Sequence, residues 1–404
     1  MRNALAGPRV LKTSVTLAAV MTIGLMLTAS SALAWTSLAT TPASTASSLN
    51  AVGCSGDVWT SSSPQGSDCY GWGNYAVAAG ATTGAGAKLG SNLLGTYTLG
   101  NSPTGFSPAA IRGVDCTPAP CVQAGENRGF AIATGSNLLV ALAPAGAVTS
   151  RLNAVSCNAS GACFAAGQYA DSAGHHHGYG VVRASPTTSW FVAYQYQPTE
   201  TQDSALTGVS CVGPRCYIVG THTGGASPLA IALTYTWSTG AITTATLPSG
   251  QNFRELNGIS CVENFTQTKC EAVGSYKTTL TGPTIPLYLQ STFTSGSTST
   301  VTYTTETGTP AAPAGATTTR LNGTSCYWDN VRGFGCRVVG DTDSTGAVQP
   351  YLGTLTTAAV SAYGATASAT GTSCLDTGPS AFCYDVGTST TSGVTQAIYN
   401  SWVL

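Results

Sequence analysis

Residues 206–220 read Leu-Thr-Gly-Val-Ser-Cys-Val-Gly-Pro-Arg-Cys-Tyr-Ile-Val-Gly, and close relatives of this stretch occur six more times along the chain. Each copy has a small, polar and apolar run ending in a cysteine, a short polar or Gly/Pro insert, a second cysteine, and an apolar step onto a glycine. The stretch is therefore a repeat unit, and repetition at this spacing points to supersecondary units stacked on one another. β-Branched and aromatic residues bounded by Gly, Pro and Ser are the composition of short strands, so the two cysteines flank a hairpin turn.

The fourteen cysteines fall into seven sequential pairs: Cys54 and Cys69, Cys116 and Cys121, Cys157 and Cys163, Cys211 and Cys216, Cys261 and Cys270, Cys326 and Cys336, Cys374 and Cys383. An even count in an exported chain predicts disulfides. Metal binding is the rival reading, but no pair has the CxxC spacing and none has a histidine at a zinc-ligand offset. The first cysteines are 41 to 65 residues apart, which suits propeller blades and is too irregular for a tight solenoid.

Between the cysteines each unit repeats four short strand-like runs. In one unit they are the hairpin pair at 206–220, then Pro228-Leu-Ala-Ile-Ala-Leu and Ile242-Thr-Thr-Ala-Thr-Leu; in another the fourth run is Leu138-Leu-Val-Ala-Leu. The expected fold is all-β: a seven-bladed β-propeller with four-stranded antiparallel blades. The last unit stops one strand short at Val403, whereas Trp35-Thr-Ser-Leu-Ala-Thr-Thr supplies a spare strand at the start. An N-terminal strand completing the last blade would close the ring and remove the open edge of the array.

On the motif Gly-Val-Ser-Cys, a short insert, then Cys-x-Ala-Val-Gly, the chain resembles a group of secreted bacterial β-propeller repeat proteins with disulfide-stapled blades. The match is closest at 206–220, 152–167 and 256–274, and departs at Asp115 and Gly53, which stand where the motif has serine. The resemblance implies a fold and an extracellular setting; its members are mostly without an assigned activity, so it carries over no catalytic residue.

Residues 1–34 have a basic start (Arg2, Arg9, Lys12), an apolar stretch and a closing Ala32-Leu33-Ala34, the pattern of a secretory signal peptide cleaved after Ala34. The expected mature chain, 35–404, is a single domain, secreted to the extracellular space or cell surface and monomeric. Three of the 15 basic residues and none of the 16 acidic ones lie in the signal segment, so the mature chain is mildly acidic. Nucleic acid is excluded as a natural partner, as is the membrane once the signal is removed. Only 8% of residues are charged, against roughly a quarter in an average soluble protein, so the surface is hydroxyl-rich rather than ionic.

Aligning the units places Tyr75, Asn127, Tyr169, His222, Tyr276 and Asp341 just past the glycine of the second strand, where they would ring one mouth of the propeller. Arg151 and Arg320 precede the first strands of their units, and each is followed by Leu-Asn. Tyr and His beside Asn, Gln and Asp suit sugars, whose flat faces stack and whose hydroxyls hydrogen-bond. A second polar ring, Asn50, Arg112, Asn153, Thr207, Asn257, Asn322 and Thr370, stands four residues before the first cysteines; its alternative role is to satisfy backbone groups in the channel. The histidines cluster at two adjacent loops, and His175, His177, His222 and Asp171 are the one candidate set for a divalent metal. No other cofactor is expected. These features predict a non-catalytic binding or surface-scaffold propeller whose partner is a glycan or another secreted or surface protein. The alternative is a glycan-cleaving hydrolase or lyase, motivated by the arginines and by the carboxylates Glu126, Asp171, Asp341 and Asp343, of which Asp341 with Asp343 is the best pair.

Overall fold

The computed structural model describes residues 36–37, 44–55, 68–77, 82–88, 99–101, 109–116, 121–127, 130–133, 143–196, 202–223, 228–249, 254–279, 281–297, 299–306, 311–329, 333–344, 347–354, 358–360, 366–376 and 381–403. The signal segment and the strand expected at 138–142 lie outside the described residues. Within them the protein is all-β, and no helix is long and apolar enough to cross a membrane. The strands form seven antiparallel sheets among the described residues, six of four strands and one of three. The fourth sheet is typical: Ser204–Val212, Arg215–Thr223, Pro228–Thr236 and Ala241–Thr244 pair in chain order. In the last sheet Thr36–Ser37 pairs with Val394–Val403, Thr36 opposite Tyr399.

The first strand of each sheet packs on the first strand of the next, and that of the seventh, Thr366–Asp376, packs on that of the first, Ser44–Ser55. Strand alternation sends one set of side chains to each neighbouring sheet. Phe164 and Val182 of the third sheet therefore bury against Leu206, Ile218 and Leu233 of the fourth, and Tyr217 and Val219 of the fourth against Leu256 and Leu287 of the fifth. The core is a series of sheet-on-sheet interfaces.

All seven expected disulfides are present, and no cysteine is free among the described residues. Each joins residues directly opposed on the first hairpin, as Cys211 and Cys216 are. Seven bridges place the folded chain in an oxidising compartment.

The glycine that ends every copy of the motif has a steric cause. Each first strand carries a β-bulge whose extra, unpaired residue is the second-ring residue: Asn50, Arg112, Asn153, Thr207, Asn257, Asn322 or Thr370. The bulge pushes a carbonyl toward the second strand. At Gly220 a Cβ would lie 2.1 Å from the Ala205 carbonyl oxygen, and the same approach recurs at Gly274 and Gly340. Gly220→Ala is expected to lower stability by about 1–3 kcal/mol through forced backbone displacement. A thermal melt superimposable on the native one would contradict this.

The bulge residues also link the sheets. A first strand is an edge strand, so its outward N–H and C=O groups have no ladder partner. Asn153 Nδ2 donates to Leu206 O at 2.9 Å, Thr207 Oγ1 to Leu256 O, Asn257 Nδ2 to Leu321 O at 2.9 Å, and Asn322 Nδ2 to Ala369 O at 3.0 Å. Thr370 Oγ1 then donates to Leu49 O at 2.7 Å, and Asn50 Nδ2 to Ile111 O at 2.9 Å. The motif serine does the complementary work: Ser156, Ser210, Ser260 and Ser325 each accept, at 2.9 Å, the backbone N–H of the next sheet's first cysteine. Asp115, the departure from serine, accepts Cys157 N–H at 2.7 Å and so keeps the same link.

Candidate functional site

The bulge residues and their neighbours, one triplet from each sheet, surround a central cavity of about 160 Å³. Six of the seven ring residues spend their donors on the backbone links just described, so this ring is structural, the second of the two roles open to it on sequence. Arg112 departs from the pattern. Its guanidinium turns to Glu126, with Nη2 to Oε1 at 3.6 Å.

At the end of the cavity where first strands begin and second strands finish, two pockets of about 230 Å³ open. One is bounded by Glu126 of the second sheet and by Thr149, Ser150, Arg151, Gln168, Tyr169 and His176 of the third. The other is lined by Glu255, Ser275, Tyr276 and Lys277 of the fifth sheet, Arg320 of the sixth, and Pro228 and Thr284. Arg151, Tyr169, Tyr276 and Arg320 thus reach the mouth, but divided between separate pockets. Tyr169 is buried, its hydroxyl donates to Gln195 Oε1 at 3.1 Å, and its ring packs on His177 and Tyr179. It is therefore a wall of the pocket and not the stacking platform that the motif position implied. Asp341 is likewise taken up by the scaffold, accepting from Asn322 Nδ2 at 2.5 Å and Ser368 Oγ at 3.4 Å. The side chains of Tyr75 and Asn127 lie outside the described residues.

The histidine set does not assemble. Among the described residues no three His, Cys, Asp or Glu side chains converge on a point that a metal ion would occupy. His177 is buried and pairs through Nε2 with Asp171 Oδ2 at 3.0 Å. That hydrogen bond, with the backbone N–H groups of His175 and Ala173, holds the Asp171 carboxyl below its ordinary pKa. His175 faces Asp203 at 3.9 Å, on the other side of the loop. His222 packs against Tyr196, its Nδ1 buried without a partner, and burial lowers its pKa. Consecutive residues on a strand point to opposite faces, so the histidine run cannot turn three rings to one ion. Among the described residues His175, His177, His222 and Asp171 are not brought together as one ligand set.

The pocket beside Arg151 has internal order. Arg151 Nη2 donates to Gln168 Oε1 at 3.2 Å, and the Gln168 amide lies 3.1 Å from His176 Nδ1, so Gln168 Nε2 is the donor and His176 carries its proton on Nε2. Burial, and then the nearby Arg112 guanidinium, lower the Arg151 pKa, while Glu126 acts against them. Arg112 pairs with Glu126, and Arg151 is in contact with the neutral Gln168 amide.

Each mouth pocket holds a single carboxyl group. The carboxyl pair that does form lies elsewhere: Glu271, fully buried in the fifth sheet, and Glu306, half-buried just past that sheet's last strand. Among the described residues neither Glu271 oxygen has an N–H or O–H donor, an environment that favours the neutral, protonated acid. Burial, and then Glu306, push the Glu271 pKa well above 4.5. The folded state then binds more protons than the unfolded one above that pH. The contribution to stability is complete below about pH 4.5 and is lost as pH rises toward the folded pKa. Melting temperature is expected to fall across this range, and Glu271→Gln to flatten the slope and raise stability at neutral pH. An unchanged slope in the variant would refute the assignment. Sequence reasoning passed over this pair, although a glutamate directly after Cys270 in an otherwise apolar run was a visible signal.

No family model and no curated protein matches the chain. Among solved structures it is similar to a protein of unknown function from Dyadobacter fermentans, at 10% identity over 91% of this chain and 97% of that one, with a TM-score of 0.47. Drosophila Semaphorin 1a, extracellular domains 1-2, aligns at 10% identity over 89% and 86% with a TM-score of 0.46. Trypanosoma rangeli sialidase aligns at 8% identity over 77% of this chain and 57% of its own length, with a TM-score of 0.44. Likeness this distant carries no argument about activity.

Proposed function

We propose that the seven sheets are the blades of a closed seven-bladed propeller spanning residues 35–404, exported after cleavage behind Ala34, and that it is a non-catalytic carbohydrate-binding protein of the cell exterior. Closure is supported by the Thr36–Tyr399 register and by the Thr370 to Leu49 link between the two ends of the array. The observation that carries the function is the lining of the two mouth pockets, where hydroxyl, aromatic and guanidinium groups, with an amide in the first, surround one carboxyl each. Hydrolysis of a glycosidic bond uses two carboxyls about 5–10 Å apart across that bond. A single carboxyl with several hydrogen-bonding groups orients a polyol without cleaving it. The reading needs no cofactor, and one chain contributes both pockets. Screening the exported protein on a glycan array tests it: retention of a defined set of glycans, released intact, is expected. Release of shortened products would establish the hydrolase instead, and an empty array the lack of a glycan ligand.

A further inference from the structure

The repeat departs from its own rule at the step from the second sheet to the third. Six bulge residues are Asn or Thr and donate to the next sheet's carbonyl; Arg112 occupies the equivalent bulge and faces Glu126 instead. A structural hydrogen bond has thus been exchanged for a charge at the central cavity, paired with Glu126, which bounds one of the two mouth pockets. Arg151, from the next first strand, adds a second guanidinium, lining the same pocket as Glu126, the partner of Arg112. Glu126 balances one of them, and Gln168 gives Arg151 only a neutral acceptor. Among the described residues the Nε–H groups of both arginines lack acceptors. The pocket's remaining surface is Thr149, Ser150, Gln168, Tyr169, Ala170 and His176, chiefly hydroxyl, amide and imidazole groups. Its volume of about 230 Å³ admits one sugar-sized group, smaller than the usual ligand cleft.

We propose that this pocket seats a sugar bearing one carboxylate, a hexuronate, with Arg112 and Arg151 taking the carboxylate and Glu126, Gln168 and His176 the ring hydroxyls. The inference rests on the carbohydrate-binding reading and gives it a charge. A guanidinium pair provides charge-assisted bonds to a carboxylate that a neutral hexose cannot form. Glu126, acceptor only, selects for hydroxyls and against a second negative charge.

The test is calorimetric titration of the exported protein with D-glucuronate and D-galacturonate, with D-glucose, D-galactose and acetate as probes of the ring and the charge alone. At least one uronate is expected to bind about tenfold or more tightly than its neutral counterpart and than acetate, and the preference to shrink as salt is raised. Arg151→Met is expected to reduce uronate affinity by about tenfold or more. Arg112→Asn restores the residue used in other sheets, so it should weaken uronate binding while raising the melting temperature; loss of binding with gain of stability separates a ligand role from misfolding. Equal affinity for uronate and neutral sugar overturns the carboxylate seat and leaves the carbohydrate reading intact. Acetate binding as well as uronate reduces the site to a bare anion site and overturns the sugar. Failure of every sugar, here and on the array, removes both readings.

Discussion

Full reduction of the disulfides is expected to unfold the protein at ambient temperature. Each bridge closes a loop of 5 to 15 residues across a first hairpin. In the chain-entropy model such loops contribute about 2–3 kcal/mol each. Seven of them together match or exceed the roughly 5–15 kcal/mol by which a typical domain is stable. The bridges also hold the innermost hairpins, on which the sheet-to-sheet hydrogen bonds depend. The first cysteine of four hairpins offers the N–H that the preceding sheet's serine accepts, as Cys211 does to Ser156 and Cys261 to Ser210. Circular dichroism in the presence of a strong reductant should show loss of the β signal, whereas Cys211→Ala with Cys216→Ala should cost only about 2 kcal/mol. A reduced protein that melted with the oxidised one would show that packing between sheets suffices alone.

Asp385→Ala is expected to be the most damaging single substitution outside the cysteines, at about 3–5 kcal/mol. Arg337 of the sixth sheet and Asp385 of the seventh form an ion pair with side-chain exposures of 4% and 0%. The guanidinium donates through Nη2 and Nε to Asp385 Oδ2 at 2.7 and 3.2 Å. Removing the carboxylate leaves a buried cation with its main partner gone, and the solvation it lost on folding is no longer compensated. Replacing both residues by leucine should recover most of the loss, because two apolar side chains in that interface need no partner. Chemical denaturation of the two single variants and the double variant measures the coupling. A loss below about 1 kcal/mol in Asp385→Ala would mean that water enters the interface.

The hairpins and their bridges were legible because cysteine, Gly and strand composition act over a few residues. The polar ring was legible as a pattern but its role was not: Asn257 and Thr207 look alike whether they face a ligand or a neighbouring carbonyl, and the choice depends on a bulge that sequence alone does not reveal. The same limit applied to the histidines. Their clustering is a fact of sequence, but the turn at Asp171 and the two faces of the strand send His175, His176 and His177 to three different partners. Arg337 and Asp385 are 48 residues apart, and nothing local pairs them.

Local chemistry by itself determined the repeat, the strands and the disulfide pairing, since these follow from period and spacing. Only the tertiary structure decided which polar residues were spent on joining the sheets and which were left facing a pocket. That decision is made by edge strands meeting one another, where each unpaired N–H and C=O takes the nearest side chain. Arg112, the one bulge residue not so taken, became the candidate for binding.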